Sequence, residues 1–305
     1  MRERRGHVKM IIERVLGLIA GCPQGSWAEP GPEFDRRRFA MNTQEIMQMA
    51  LDLVGMTEIP ADSAIYLPGR GIRKVLFAID IGVPELLLAK ELDCDLVIAH
   101  HPQAAVLSFP QILDRHVDLM VSKGVPPAAA QKAITALKES SEFRYQAGNY
   151  EHVTGVAKLL GLPFMNIHNP LDELGRRIMQ QTVDGLGEGA TVGEVVAALQ
   201  EIPELASAPT RVKVAAGRPG NPAGRVVVAH GAGTNGGYEV ARTYFEYGIG
   251  TVVYIHVDYA QAVRLRAEGK GNLVVTGHIA SDLIGINPFL RQLEETGLEL
   301  VKIGA

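Results

Sequence analysis

Two neighbouring histidines close a short apolar run, Asp95-Leu-Val-Ile-Ala-His100-His101-Pro102. A β-branched run stopped by proline reads as a buried strand. Side chains alternate along a strand, so consecutive histidines converge on one point only where the strand gives way to a turn, which Pro102 supplies. Other apolar runs end in the same way: His168 follows Phe164-Met-Asn-Ile, His230 follows Val226-Val-Val-Ala, His256 follows Val252-Val-Tyr-Ile, and His278 follows Leu273-Val-Val-Thr-Gly. Carboxylates accompany two of these ends, in His168-x-x-x-Asp172 and His278-x-x-x-Asp282. That spacing puts both side chains on one helical face, where they could grip one ion or two neighbouring ions. Imidazole and carboxylate donors without thiolates favour Zn, Mn, Fe or Co over Ca or an iron–sulfur cluster, and leave the choice among those four open.

The elements that must position these residues follow from periodicity and punctuation. Asn42-Thr-Gln-Glu45 has the form of a capping box, and Ile46, Met49, Ala50, Leu53 and Val54 then repeat on one face until Gly55. Residues 74–80 read as a strand, 84–92 as a helix with Pro84 at its first position, and 95–99 as the next strand, which makes a right-handed parallel βαβ unit. Residues 112–160 are helical in pattern, broken at Pro126-Pro127 and Gly148. A strand at 162–167, a helix opened by Pro170-Leu-Asp172, and a second capping box at Thr191-Val-Gly-Glu194 come next. Strands at 211–215, 225–229, 251–255, 272–276 and 299–303 then alternate with helices at 238–247, 260–267 and 281–295. Such alternation predicts an α/β architecture of largely parallel sheets flanked by helices, and ligands bind such sheets at the carboxyl ends of their strands, where the histidines lie. Taken singly, each histidine reads as a hydrogen-bonded core or surface residue; their shared position is what points to a site.

With 305 residues, 47% of them hydrophobic and 21% charged, the chain can build one large or two medium domains. A net charge of −4, without Lys and Arg interleaved with aromatics, argues against a nucleic-acid groove. The two cysteines, Cys22 and Cys94, form no Cys-x-x-Cys pair, which removes a thiolate zinc site and fits a reducing cytoplasm. Residues 1–40 carry a basic start and an apolar stretch ending at Cys22, but Glu13 and Arg14 interrupt it, leaving it too short for a signal peptide or a membrane span. A poorly ordered extension is expected there, with the folded part spanning 41–305 in lobes near 41–175 and 176–305 and a helical insertion near 112–150. No internal sequence repeat is evident.

Together, Asp95-Leu-Val-Ile-Ala-His-His-Pro102, His168-Asn-Pro-Leu-Asp172 and Gly277-His-Ile-Ala-Ser-Asp282 resemble the motifs of the NIF-three-like family, in the family's order and over most of the chain from about Met41. Members are described as dinuclear-metal-centre proteins, often hexameric, and as GTP cyclohydrolase I type 2. The resemblance implies two α/β lobes and two divalent metal ions per chain. It makes His100, His101, Asp172, His278 and Asp282 the ligands, with His168, His230 and His256 in a second shell. It further implies a small-molecule substrate, such as a nucleotide or a cyclic amide or amidine, and a homo-oligomer. Three features depart from the family's pattern. Asp282 stands where a bridging glutamate is usual, the stretch between His101 and His168 is longer, and Tyr254-Ile-His-Val-Asp258 lacks a Thr-Gly-acid sequence.

Two other readings compete with a hydrolase. Gly231-Ala-Gly233-Thr-Asn-Gly236 matches the dinucleotide fingerprint G-x-G-x-x-G between a strand and a helix, although a tight turn without ligand explains it better. A metal-handling scaffold without catalysis would carry the same ligands. Glu173 and Asp258 are candidate proton carriers beside the site, or else structural acids.

Overall fold

The computed structural model describes residues 40–305; apart from Ala40, the expected extension at 1–40, with Cys22, lies outside the described residues. In chain order the strands are β1 (Ala64–Leu67), β2 (Lys74–Ala78), β3 (Leu96–Ala99), β4 (Phe164–Asn166), β5 (Lys213–Ala216), β6 (Val226–Val228), β7 (Thr251–Tyr254), β8 (Asn272–Val275) and β9 (Glu299–Ile303). The helices are α1 (Thr43–Val54), α2 (Val83–Glu91), α3 (Asp114–Ser122), α4 (Pro127–Gln146), α5 (His152–Leu160), α6 (Asn169–Asp184), α7 (Val192–Gln200), α8 (Pro203–Ser207), α9 (Gly237–Glu246), α10 (Tyr259–Glu268) and α11 (His278–Glu295). Among the described residues no helix is long and apolar enough to cross a membrane.

Both expected capping boxes form. Asn42 Oδ1 accepts from the backbone N–H groups of Gln44 and Glu45 while Glu45 returns the bond to the Asn42 N–H, and Thr191 and Glu194 do the same for α7. Gly55, at φ +66°, ends α1 in the left-handed conformation that a side chain would oppose. Helix α11 begins at His278 rather than at 281, because Gly277 ends the strand connection and the first helical turn already includes the histidine.

The strands form two α/β sheets, ordered β1-β4-β3-β2-β9 and β5-β8-β7-β6. Within each, pairing is parallel except at one edge, where β1 runs antiparallel to β4 and β5 antiparallel to β8. The first four strands of each set therefore follow one topology: an antiparallel edge strand, then three parallel strands whose order in space reverses their order in sequence. The duplication is structural; sequence reading found no repeat because it survives in topology and in the His-x-x-x-Asp motif rather than in residue identity. One feature departs from a division at 175/176. The chain returns after α11 to place β9 beside β2, in register from Lys74 opposite Glu299 to Ala78 opposite Ile303.

Helices α6 and α11 tie the sheets together. Leu171 of α6 and Ile286, Phe289, Leu290 and Leu293 of α11 pack with the core of the first sheet, whereas Met179 and Val183 of α6 and Ala280 and Ile284 of α11 pack with that of the second. Where they cross, Gly175 faces Gly285, and an added Cβ on Gly285 would lie 1.8 Å from the Leu171 carbonyl oxygen. The absence of side chains at this crossing is what lets the amino-terminal turns of both helices approach each other.

Candidate metal centre

Those amino-terminal turns carry Asp172 and Asp282, buried at 3% and 1% exposure. The carboxyl ends of β3, β4 and β8, with the loops after β6 and β7, surround them with histidines. His100 Nε2 lies 3.2 Å from Asp172 and 3.9 Å from Asp282; His101 Nε2 lies 3.5 Å from Asp282. His168 Nε2 is 3.5 Å from Asp172, and His278 Nε2 is 3.4 Å from Asp282. His230 Nε2 stands 3.6 Å from Asp172 and 3.8 Å from Asp282.

The structure thus brings together all five residues expected as ligands, and it places two expected second-shell residues, His168 and His230, against the same carboxylates. His256 stands apart. It is hydrogen-bonded with Asn235 (2.8 Å), and its ring lies beside that of His278, with centroids 4.8 Å apart.

Each of three imidazoles is oriented through its other nitrogen. His100 Nδ1–H donates to the Ile167 carbonyl (3.1 Å), His101 Nδ1–H to Asp80 (2.8 Å) and His168 Nδ1–H to Asp62 (2.7 Å). Such bonds fix the tautomer and aim the Nε2 lone pair inward, the outer-shell pattern of metal-ligating histidines. Neither aspartate was singled out from the sequence. Asp80 had a positional signal, since it follows β2 as His230 follows β6; Asp62 sits in a connection before β1 and had none.

A positive charge fits this centre. Of the ten buried side-chain nitrogen and oxygen atoms without a hydrogen-bond partner among the described residues, five are here: Nε2 of His100, His101 and His230, Asp172 Oδ1 and Asp282 Oδ2. Buried carboxylates left this way cost several kcal/mol (about 1–3 per unsatisfied group, more when charged), which a shared cation would offset. Burial alone would raise the Asp172 carboxyl, but His168, His230 and His100 hold it well below the usual carboxylate range. Burial would likewise lower His168, yet Asp172 and Asp62 push it up to about 9. His101 is raised because Asp282 and Asp80 outweigh its burial. His256 and His278, with less carboxylate around them, are lowered by burial. Three donor sets have atoms within 4.8 Å of one another: His100, His101 and His168; His101, His278 and Asp282; and His100, Asp172 and Asp282. They share members, so two ions bound here would share ligands.

The centre opens into a cleft of about 220 Å3, whose walls include Phe109 and Tyr145. Both come from the long stretch between β3 and β4, Phe109 from a 3-10 turn at Phe109–Leu113 and Tyr145 from α4, and their rings stack with centroids 5.0 Å apart. Tyr145, within the stretch expected as an insertion near 112–150, and Phe109, just before it, therefore both flank the opening of the site.

The two candidate proton carriers are engaged elsewhere. Glu173 is clamped by Arg176 (2.6 and 2.8 Å) and Arg177 (2.8 Å), which keep its carboxyl low against the effect of burial. Asp258 is exposed at the N-cap position of α10, where its carboxylate accepts from the Gln261 side-chain amide (3.3 Å) and makes no capping bond. Packing accounts for the glycine-rich loop. A Cβ on Gly231 would meet the Glu173 backbone at 3.2 Å and one on Gly233 would meet Ile112 at 2.2 Å, so close packing explains these two glycines without a bound dinucleotide.

No protein-family model and no curated protein matches the chain. Solved structures do. HcgD from Methanocaldococcus jannaschii, in its reduced form, has a TM-score of 0.54 at 13% identity over 86% of this chain and 98% of that one, a likeness of fold alone. Protein ybgI, of unknown function, has a TM-score of 0.51 at 18% identity with the same coverage. A NIF3 superfamily protein from Sphaerobacter thermophilus is 51% identical, with a TM-score of 0.84 over 87% of this chain and 98% of its own. Identity at that level across nearly the whole relative, with the two-sheet fold and the histidine-bearing strand ends, means that the chain belongs to the NIF3 superfamily.

Proposed function

We propose that this protein is a metal-dependent hydrolase with two divalent cations held by His100, His101, His168, Asp172, His278 and Asp282, and with His230 beside them. The observation that carries the reading is the convergence of partnerless imidazole nitrogens on two buried carboxylates. Divalent cations held there would supply Lewis acidity toward water and toward the bond under attack. The chain's own residues orient and shield. Asp62, Asp80 and the Ile167 carbonyl hold three rings in the ligating tautomer, and Asp172 and Asp282 each stand within 4 Å of several imidazoles. Phe109 and Tyr145 narrow the access of water. The substrate class follows from the resemblance: a nucleotide or another ring whose amide- or amidine-like bond is opened by water. A homohexamer belongs to the same proposal, and light scattering tests it.

Elemental analysis of chelator-free protein should find about two divalent ions per chain, and Asp282→Asn should lose at least one because it removes the anionic charge between them. Asp282→Glu should keep both. Turnover on a panel of nucleotides and cyclic amides should accompany metal loading. Protein that holds no metal, and that neither binds nor is stabilised by added Zn or Mn, would overturn the reading; full metal occupancy without turnover would favour the scaffold.

A further inference from the structure

At about 220 Å3, the cleft over the metal centre is smaller than the roughly 300–1,000 Å3 typical of small-molecule sites, so a substrate of ordinary size must extend beyond it. Two neighbouring cavities share walls with it. One, of about 230 Å3, touches it at His230 and contains Arg115 and Arg176, but Glu173 lies between them, 2.6 Å from Arg176 and 3.7 Å from Arg115, and together with Asp118 on the same wall it balances their charge. The other, of about 550 Å3, shares Ile255, His256 and His278 with the cleft and is lined by Arg211, Lys213 and Arg266.

No carboxylate lines this larger cavity, and none of its three cations pairs with one among the described residues. Arg211 and Arg266 each donate to a backbone carbonyl, of Ala206 and Ala215, through a single nitrogen, which steadies the guanidinium and leaves the rest of its donor fork unpaired. Like charges gathered without counterions around a concave surface focus a positive field, and they raise the local concentration of anions. A single carboxylate calls for one such partner. Three cations, two of them planar forks, match the charge and geometry of a phosphate group.

We infer that the 550 Å3 cavity is the phosphate subsite of this enzyme: the substrate is a phosphorylated small molecule whose phosphate rests among Arg211, Lys213 and Arg266 while its reacting bond reaches past His256 and His278 to the metal centre. The inference rests on the hydrolase reading for the direction of the substrate, but binding alone tests the subsite. Arg211→Gln with Lys213→Gln removes two cations at exposed positions and should leave metal content and melting temperature unchanged. Calorimetry with inorganic pyrophosphate on the metal-loaded protein should show binding that weakens at least tenfold in the double variant. Malonate, run in parallel as a dicarboxylate, should bind at least tenfold more weakly than pyrophosphate to the unmodified protein. Equal pyrophosphate affinity in both proteins, no binding to the unmodified one, or a preference for malonate overturns the subsite. Failure of the hydrolase reading would appear instead as missing metal or missing turnover, whatever the pyrophosphate result.

Discussion

Substituting Gly285 by alanine adds one methyl group at the crossing of α6 and α11 and should dismantle the metal centre without altering any of its proposed ligands. The added Cβ would stand 1.8 Å from the Leu171 carbonyl oxygen, 2.8 Å from its carbon and 3.0 Å from the Gly175 nitrogen, all of them backbone atoms that no rotamer change can move aside. An ordinary carbon–oxygen contact needs about 3.3 Å, so the two helices must part by about 1.5 Å. Asp172 lies one residue beyond Leu171, and Asp282 less than one turn before Gly285. Their carboxylates, now 3.2 and 3.9 Å from His100 Nε2, would separate by a similar amount, well outside the roughly 0.2 Å tolerance of metal–ligand distances. Overpacking of this kind costs about 1–3 kcal/mol, or roughly 2–10 °C of melting temperature. Mass spectrometry of the metal content and differential scanning calorimetry should therefore show loss of at least one ion together with such a drop. Gly175→Ala, whose Cβ would lie 3.2 Å from the Ser281 oxygen, should be intermediate. Gly155→Ala in α5, with nothing within 4 Å, should change neither quantity by much. If Gly285→Ala retained full metal occupancy and the original melting temperature, the argument that this glycine pair sets the spacing of the acids would fail.

Acid stability should report on His116, a fully buried histidine whose Nε2–H donates to the Thr234 carbonyl (2.9 Å) and whose Nδ1 has no partner among the described residues. Burial lowers it to about 4 from an ordinary 6.5, so between those values the unfolded chain binds the extra proton; its contribution is complete above pH 6.5 and is lost as pH falls toward 4. Chemical denaturation should show His116→Gln losing about 2 kcal/mol less than the unmodified protein between pH 7.5 and 5, and parallel losses would refute the assignment. The glycine loop should give no submicromolar affinity for NAD or NADP, since packing against Glu173 and Ile112 already explains two of its glycines; calorimetry showing stoichiometric dinucleotide binding would reverse that conclusion.

The parallel strands and the helices that carry the motifs were legible because punctuation and periodicity agree there: the run ending at His100 is fully buried in β3, and both capping boxes start helices. Strand β1 was not legible. Its four residues, Ala-Ile-Tyr-Leu, are all half-buried at a sheet edge and show neither alternation nor a continuous apolar run. The histidines could be recognised as a group because strand ends in parallel sheets point one way, but their ranking could not. His168 was placed behind His278, yet the two make equivalent approaches to their acids, 3.5 and 3.4 Å. The repeated His-x-x-x-Asp spacing carried that equivalence in plain sight. Asp62 escaped because its role depends on a tertiary meeting with His168, 106 positions away, and no local pattern encodes such a meeting.

The return of the chain from α11 to β9 also dictates when the centre can be assembled. His100 and His101 are synthesised long before His278 and Asp282, and at about 5–20 residues per second the ribosome needs roughly ten to forty seconds to bridge the interval. Until α11 emerges, Asp172 faces the histidines of the first sheet without the second acid. Until β9 emerges, β2 remains an open edge with unpaired backbone groups. An ion met before α11 emerges would find His100, His101, His168 and Asp172 without His278 and Asp282, so only part of the proposed donor set would be present. The complete donor set of the proposed centre therefore belongs to the finished fold rather than to the growing chain, and the edge of the first sheet is the last part of that fold to be covered.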